Sequence, residues 1–202
     1  MKIIELILDE DNLEEDNGIS AISIVESPAT EESFIALKNQ EIKFAEQDKE
    51  KRILMGAALV PNRPIYRKNE EDEYYIFFSK ETVRKASELF FIKGNQSNTT
   101  LEHQSPLEGL TIVESWIIEA EQDKSRHYGL NAPIGTWMVS MKVNSEDVWN
   151  NYVKTGKVKG FSIEAYFSSK LEQRPKDKTL KEEASAQEFI DTISEILKEG
   201  DV

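Results

Sequence analysis

The sequence predicts a β-rich α+β fold built around one compact core. Five β-strand candidates and two helices follow one another irregularly through its middle part, without the βαβ spacing of a doubly wound sheet. The charge pattern sets the limits of that core. Residues 51–170 carry 15 acidic and 16 basic side chains, whereas residues 1–50 carry 14 and 4 and residues 171–202 carry 9 and 5. We therefore expect a core at 51–170 between two acidic flanks.

The two predicted helices begin at serines and end at glycines. Ser79 is placed to cap the first helix, which shows an apolar face and stops at Gly94. Ser145 is placed to cap the second helix, which has two acidic residues in its first turn and stops at Gly156. Serine before a helix and glycine after it satisfy backbone groups that a helix end leaves unpaired.

Short apolar runs predict the strands. The core candidates are residues 53–60, 74–78, 110–118, 136–143 and 158–167. The N-terminal segment, 1–50, adds a strand-like start and a β-patterned run at 19–25, followed by a polar stretch. The tail, 171–202, is polar until a capping-box pattern opens a short amphipathic helix at 188–198.

Composition excludes several kinds of function. The chain has no cysteine, so disulfides, thiolate metal sites and a cysteine nucleophile are ruled out. Its net charge of −13 argues against a nucleic-acid partner, because phosphate contacts need clustered lysine and arginine. No apolar run approaches the ~18 residues of a membrane span, and neither a metal-ligand spacing nor a phosphate-binding glycine loop occurs. We expect a soluble protein without cofactor, metal or membrane partner.

Two residues offer the chemistry of a hydroxyl nucleophile and its base. His103 lies in a Leu-Glu-His-Gln segment that leads into the strand candidate 110–118, whereas the other histidine, His127, lies in a polar loop. Ser162 begins the last strand candidate, two residues after Gly160, where a glycine lets substrate backbone approach closely. A serine nucleophile needs an adjacent base and donors for the oxyanion. Each signal alone is weak, because such histidines and serines are common in structural roles.

Taken together, five short segments resemble a known family. Their order and spacing are those of Leu101-Glu102-His103, Val113-Glu114-Ser115-Trp116, Gly135-Thr136-Trp137-Met138-Val139, Val148-Trp149 and Lys157-Val158-Lys159-Gly160-Phe161-Ser162-Ile163. Over residues 53–167 the chain resembles the prohead proteases of PBSX-like prophages, which are similar to herpesvirus assemblins. The resemblance implies a small closed β-barrel with flanking helices. It also implies that Ser162 is the nucleophile of a serine peptidase and His103 its general base.

The third catalytic residue is predicted to be Glu114. A base needs a group that fixes its tautomer and stabilises the imidazolium, and Glu114 lies in the strand that follows the His103 loop. The alternative is Glu164, which lies two residues beyond Ser162 and therefore on the same face of its strand.

A further candidate comes from a departure from the family pattern. A strand that follows the nucleophile in many prohead proteases resembles residues 21–29 of this chain, which implies a circularly permuted barrel completed by residues 19–25. The family's acid would then fall on Ala21, which cannot serve. Glu26 remains as the third candidate for the orienting group.

The expected function is that of a serine endopeptidase in phage head maturation. The resemblance implies that it cleaves scaffold or major capsid protein, and itself, inside the assembling procapsid in the host cytoplasm. Self-cleavage is expected in the polar stretches 39–51 or 171–184, and self-association is left open. The alternative is a non-catalytic capsid-associated protein that keeps the protease fold, or an unrelated β-barrel interaction module.

Overall fold

A computed structural model describes residues 2–8, 17–28, 35–37, 51–68 and 73–169. Within these ranges the chain forms three four-stranded sheets. In order across each sheet, the first contains β12 (Ser168–Ser169), β1 (Lys2–Ile7), β6 (Glu73–Phe78) and β5 (Ile65–Lys68); the second contains β3 (Ile35–Leu37), β4 (Ile53–Leu59), β10 (Trp137–Val143) and β9 (Leu110–Ile117); the third contains β11 (Gly160–Tyr166), β2 (Gly18–Val25), β7 (Thr99–Leu101) and β8 (Ser105–Leu107).

Both helices begin at the predicted serines. Helix α1 (Lys80–Ile92) is capped by Ser79, whose Oγ accepts a hydrogen bond from the backbone N of Thr82 at 3.3 Å. Helix α2 (Glu146–Val148) is capped in the same way by Ser145, and it continues as a π-helical turn at Trp149–Val153. The second helix is therefore shorter and less regular than its predicted extent. None of the described helices is long and apolar enough to cross a membrane.

The three sheets and α1 share one main core. Trp137 of β10 and Phe90 of α1 are fully buried, and their rings meet edge to face with 5.4 Å between centroids. The indole N–H of Trp137 donates to Ser115 Oγ at 2.8 Å, which satisfies its only polar atom. The predicted core strands are all present, with bounds within two residues of those expected.

The α+β class is confirmed, but the closed barrel is wrong. A barrel requires every strand to be hydrogen-bonded along both edges. In the described residues each sheet ends instead in strands that have a neighbour on one side only: β12 and β5, β3 and β9, β11 and β8. The sequence shows where strands occur, but the pairing of their edges depends on contacts between distant segments.

Strand β2 is the element on which the site depends. The run expected at 19–25 forms this strand, which lies between β11, antiparallel to it, and β7, parallel to it. The N-terminal part of the chain is thereby hydrogen-bonded to the strand that carries Ser162. The division at residues 50 and 170 stays a prediction, and the predicted helix at 188–198 lies outside the described residues.

Candidate active site

Four polar side chains share one face of the third sheet. Ser162 of β11 lies directly opposite Ser23 of β2, and Ser23 lies opposite Thr100 of β7. Residues paired across a ladder point to the same side of a sheet, and so do residues two apart on one strand, which adds Glu164 to this face. The strand register thus collects two serines, a threonine and a carboxylate from three different strands.

His103 approaches this face from a strained turn. The turn between β7 and β8 spans Leu101 to Gln104 and is closed by a hydrogen bond of 3.0 Å from the N of Gln104 to the O of Leu101. Its two central residues have φ values of 51° for Glu102 and 57° for His103, the pattern of a type I′ turn. Such turns favour Asn and Gly, because a side chain at positive φ costs free energy. The imidazole is therefore held in a position that the local sequence does not favour.

Three hydrogen bonds to β2 and its end hold this turn in place. The backbone N of Glu102 donates to Ile24 O at 3.2 Å, and the Glu102 carboxylate accepts from the backbone N of Glu26 at 2.7 Å. The backbone N of His103 donates to Ser23 Oγ at 3.0 Å, and that hydroxyl donates in turn to Thr100 O at 3.3 Å. Ser23 is fully buried, so this connection is shielded from water.

The imidazole of His103 lies next to the Glu164 carboxylate. Nδ1 of His103 is 3.4 Å from Oε1 of Glu164, and the same oxygen accepts a hydrogen bond from Thr100 Oγ1. Since a carboxylate oxygen only accepts, this approach favours the tautomer with its proton on Nδ1 and leaves Nε2 as an acceptor. The two side chains are 40% and 31% exposed, so solvent and substrate reach them.

Ser162 is nearly buried, with 7% of its surface exposed. No described residue forms a hydrogen bond with its hydroxyl, and in particular none joins it to His103 in this structure. Ser23 contacts both residues, since it lies opposite Ser162 in the ladder and bonds the backbone of His103. A nucleophile and base on adjacent elements often form their hydrogen bond only when substrate is present.

The comparison with known families identifies the chain. Over residues 41–171, more than half of its length, the sequence matches the family described as "Putative phage serine protease XkdF". The chain belongs to this phage serine protease family. The match supports the part of the sequence-based resemblance that concerns phage proteases, while the PBSX-like type and the likeness to assemblins stay predictions. No curated protein and no solved structure matches the chain significantly.

In this member of the phage serine protease family, Glu114 does not lie beside His103. It is part of β9 in the second sheet, where its Oε2 accepts from Ser140 Oγ at 2.6 Å and its Oε1 is 3.2 Å from Lys124 Nζ. The Ser140 hydrogen bond, and after it Lys124, lower the pKa of Glu114 below its ordinary value of 4.5 against a partial opposing effect of burial. The preference for Glu114 as orienting residue is corrected: sequence proximity to the His103 loop did not bring the two side chains together.

The remaining candidates are separated in the same way. The Glu26 carboxylate is 3.6 Å from Lys159 Nζ, so Glu164 is the one of the three carboxylates found next to His103. The other histidine, His127, lies in a 3₁₀ helix at Lys124–Tyr128. No group of three or more His, Asp or Glu residues in the described part of the chain is arranged to hold a metal ion.

Three functional contributors of this phage protease were missed by the sequence analysis. Ser23, Thr100 and Glu102 fix the turn and the carboxylate, yet each looks in sequence like an ordinary strand or loop residue. The available signal was the resemblance of residues 21–29 to a family strand. Strand β2 lies outside the matched segment 41–171, although it contributes Ser23 to the site.

Proposed function

We propose that this protein is a serine endopeptidase in which Ser162 is the nucleophile, His103 the general base and Glu164 the orienting carboxylate. The observation that carries the proposal is the approach of Glu164 Oε1 to His103 Nδ1 at 3.4 Å, on the sheet face that Glu164 shares with Ser162. A carboxylate on Nδ1 leaves Nε2 free to accept the hydroxyl proton, which is the arrangement of acid, base and nucleophile in serine peptidases. Membership in a phage serine protease family supports this reading.

The register of β11 against β2 gives a second reason for Glu164. By resemblance the family's acid would fall on Ala21, and Ala21 lies directly opposite Glu164 in the ladder. Paired residues have Cβ atoms only about 5 Å apart, so a carboxylate supplied from either position can reach the same region. The acid is therefore supplied by the nucleophile strand itself.

The reaction follows the two steps of acyl transfer. Nε2 of His103 takes the proton from Ser162 Oγ as the oxygen attacks the peptide carbonyl carbon, and then gives that proton to the leaving amine as the C–N bond breaks. A water molecule attacks the resulting acyl-enzyme ester, with His103 again accepting the proton and returning it to Ser162. Glu164 stabilises the imidazolium that exists between these transfers.

The substrates that we propose are scaffold protein, major capsid protein and the protease chain itself, cleaved inside the procapsid in the host cytoplasm. The family is one of phage proteases, and the −13 net charge does not suit binding to packaged nucleic acid. Self-cleavage is proposed within 39–51 or 171–184, because a substrate must enter a protease cleft in extended form. Apart from Lys51, both stretches lie outside the described residues.

The proposal is tested by the intact mass of the purified protein over time. The wild-type chain should lose discrete terminal fragments, and Ser162→Ala and His103→Ala should not. A fluorophosphonate probe should label the wild-type protein at Ser162 and lose most of this labelling in His103→Ala and Glu164→Gln. Stable mass together with probe labelling that ignores Ser162→Ala would exclude a Ser162 nucleophile.

A further inference from the structure

A pocket of about 290 Å³ runs along the free edge of β11, beside Ser162. Strand β11 is the end strand of its sheet and has β2 as its hydrogen-bonded neighbour on one side. The lining of the pocket includes Ser162 and Ile163 in succession, and then 165–167. A face of a strand presents only every second residue, so a pocket lined by consecutive residues follows the edge of the strand.

The opposite wall of the pocket is one face of the first sheet. Ile65 of β5 pairs with Ile76 of β6, and Leu6 of β1 pairs with Phe78 of β6, so these four side chains and Arg67, two residues after Ile65, point the same way. All five line the pocket. The wall is thus apolar along most of its length and carries a single cation at β5.

We propose that this pocket binds the substrate as an extended peptide that carries an apolar and an acidic side chain two residues apart. This inference rests on the proposed function and names the substrate class of the same site. An end strand offers backbone groups to which an extended peptide adds as a further strand. Side chains two apart on such a peptide have the same spacing as Ile65 and Arg67 on β5, so the apolar one meets Ile65 and the acidic one meets Arg67.

Arg67 is suited to this role by what it does and does not contact. Its Nη1 donates to the backbone O of Tyr66 at 3.0 Å, and no carboxylate among the described residues pairs with it. The neighbouring cation Lys68 instead forms an ion pair of 2.7 Å with Glu73. Guanidinium groups recognise carboxylates with two parallel hydrogen bonds, which gives Arg67 a means of selecting an acidic side chain.

The test measures peptide binding to the Ser162→Ala protein, so that it does not depend on turnover. Fluorescein-labelled hexapeptides with a central Val-Ser-Glu or Glu-Ser-Val are compared with their Gln counterparts by fluorescence anisotropy. We expect tighter binding of the Glu peptide in one of the two orders, with a preference of about three- to tenfold over Gln. Adding Arg67→Gln should abolish this preference, and Arg67→Glu should turn it towards a Lys peptide.

The matched control is Lys68→Gln, which removes the same charge from the next residue of the strand and should leave the preference unchanged. Absence of peptide binding, a preference that survives Arg67→Gln, or an equal loss in Lys68→Gln would overturn the inference. Cleavage of the same peptides by the Ser162-containing protein is followed in parallel. Binding that depends on Arg67 without any cleavage would contradict the proposed function and leave this inference standing.

Discussion

Ser23 and His103 are joined by a hydrogen bond of 3.0 Å from the histidine backbone N to the serine hydroxyl, although 80 residues separate them in sequence. The bond fixes a backbone position with a positive φ of 57°, and Ser23 itself is fully buried opposite Ser162. One hydroxyl therefore sets the distance between the strand of the proposed nucleophile and the turn of the proposed base. The first prediction follows from this bond.

Ser23→Ala should lower kcat about tenfold with little change in KM. The substitution leaves the buried N–H of His103 without its partner, which costs about 1–3 kcal/mol of stability and lets the imidazole shift. Kinetics on a peptide substrate and urea denaturation measure both effects. Ser87→Ala is the control, because Ser87 is also a buried serine that bonds a backbone oxygen, at 2.7 Å to Arg84. An equal loss of kcat in Ser87→Ala would show that Ser23 acts through stability alone.

Glu164→Gln should lower kcat/KM by about 10²–10⁴, whereas Glu114→Gln should have little effect. An amide in place of the carboxylate cannot stabilise the imidazolium and favours the wrong tautomer of His103. Both substitutions remove one charge from a partly exposed strand residue, so they form a matched pair. A larger loss in Glu114→Gln would restore the assignment that the sequence favoured.

His103→Gly should abolish peptidase activity and yet give a more stable protein than His103→Ala. Both variants lose the imidazole and its contact with Glu164, but only glycine adopts a φ of 57° without strain. We expect a difference of about 0.5–1 kcal/mol after the greater unfolded-state entropy of glycine is counted. This corresponds to a rise of roughly 2–4 °C in Tm, measured by thermal unfolding of the two variants. Equal stabilities would indicate that the turn carries no strain.

Ser140→Ala should raise the pKa of Glu114 towards its ordinary value, because it removes the hydrogen bond that lowers it most. A carboxyl whose pKa is depressed by folding stabilises the folded state above its unfolded pKa, and this stabilisation is lost as pH falls through the folded value. The stability advantage of wild type over Ser140→Ala should therefore be largest above pH 4.5 and shrink below it. NMR titration of the Glu114 carboxyl and denaturation at several pH values test this. An advantage that grows on acidification would contradict it.

Deletion of residues 185–202 should leave folding and peptide cleavage unchanged but prevent entry into procapsids. The described strands and helices end at Ser169, so the deletion removes no element of the proposed site. The predicted apolar face at 188–198 would contact scaffold or capsid protein. Circular dichroism, peptide kinetics and co-purification with procapsids measure the three properties. Loss of folding on truncation would refute this role for the tail.

The elements were largely predictable, because each is marked by local signals. Hydroxyl caps at Ser79 and Ser145 and apolar runs located both helices and every core strand, since capping and side-chain burial act within a few residues of sequence. The closed barrel was predicted wrongly. Which strand edges meet depends on contacts between distant segments, and no local pattern contains that information.

The sequence by itself determined the strands, the family and the two residues proposed for nucleophile and base. Only the tertiary structure decided that Glu164, and not Glu114, lies beside His103, and that Ser23 connects the base turn to the nucleophile strand. Alternation along a strand tells which residues share a face, but not which strands lie side by side. The third residue of the site and its supporting hydroxyl were fixed by the pairing of β2 with both β11 and β7, which is a long-range property of the fold.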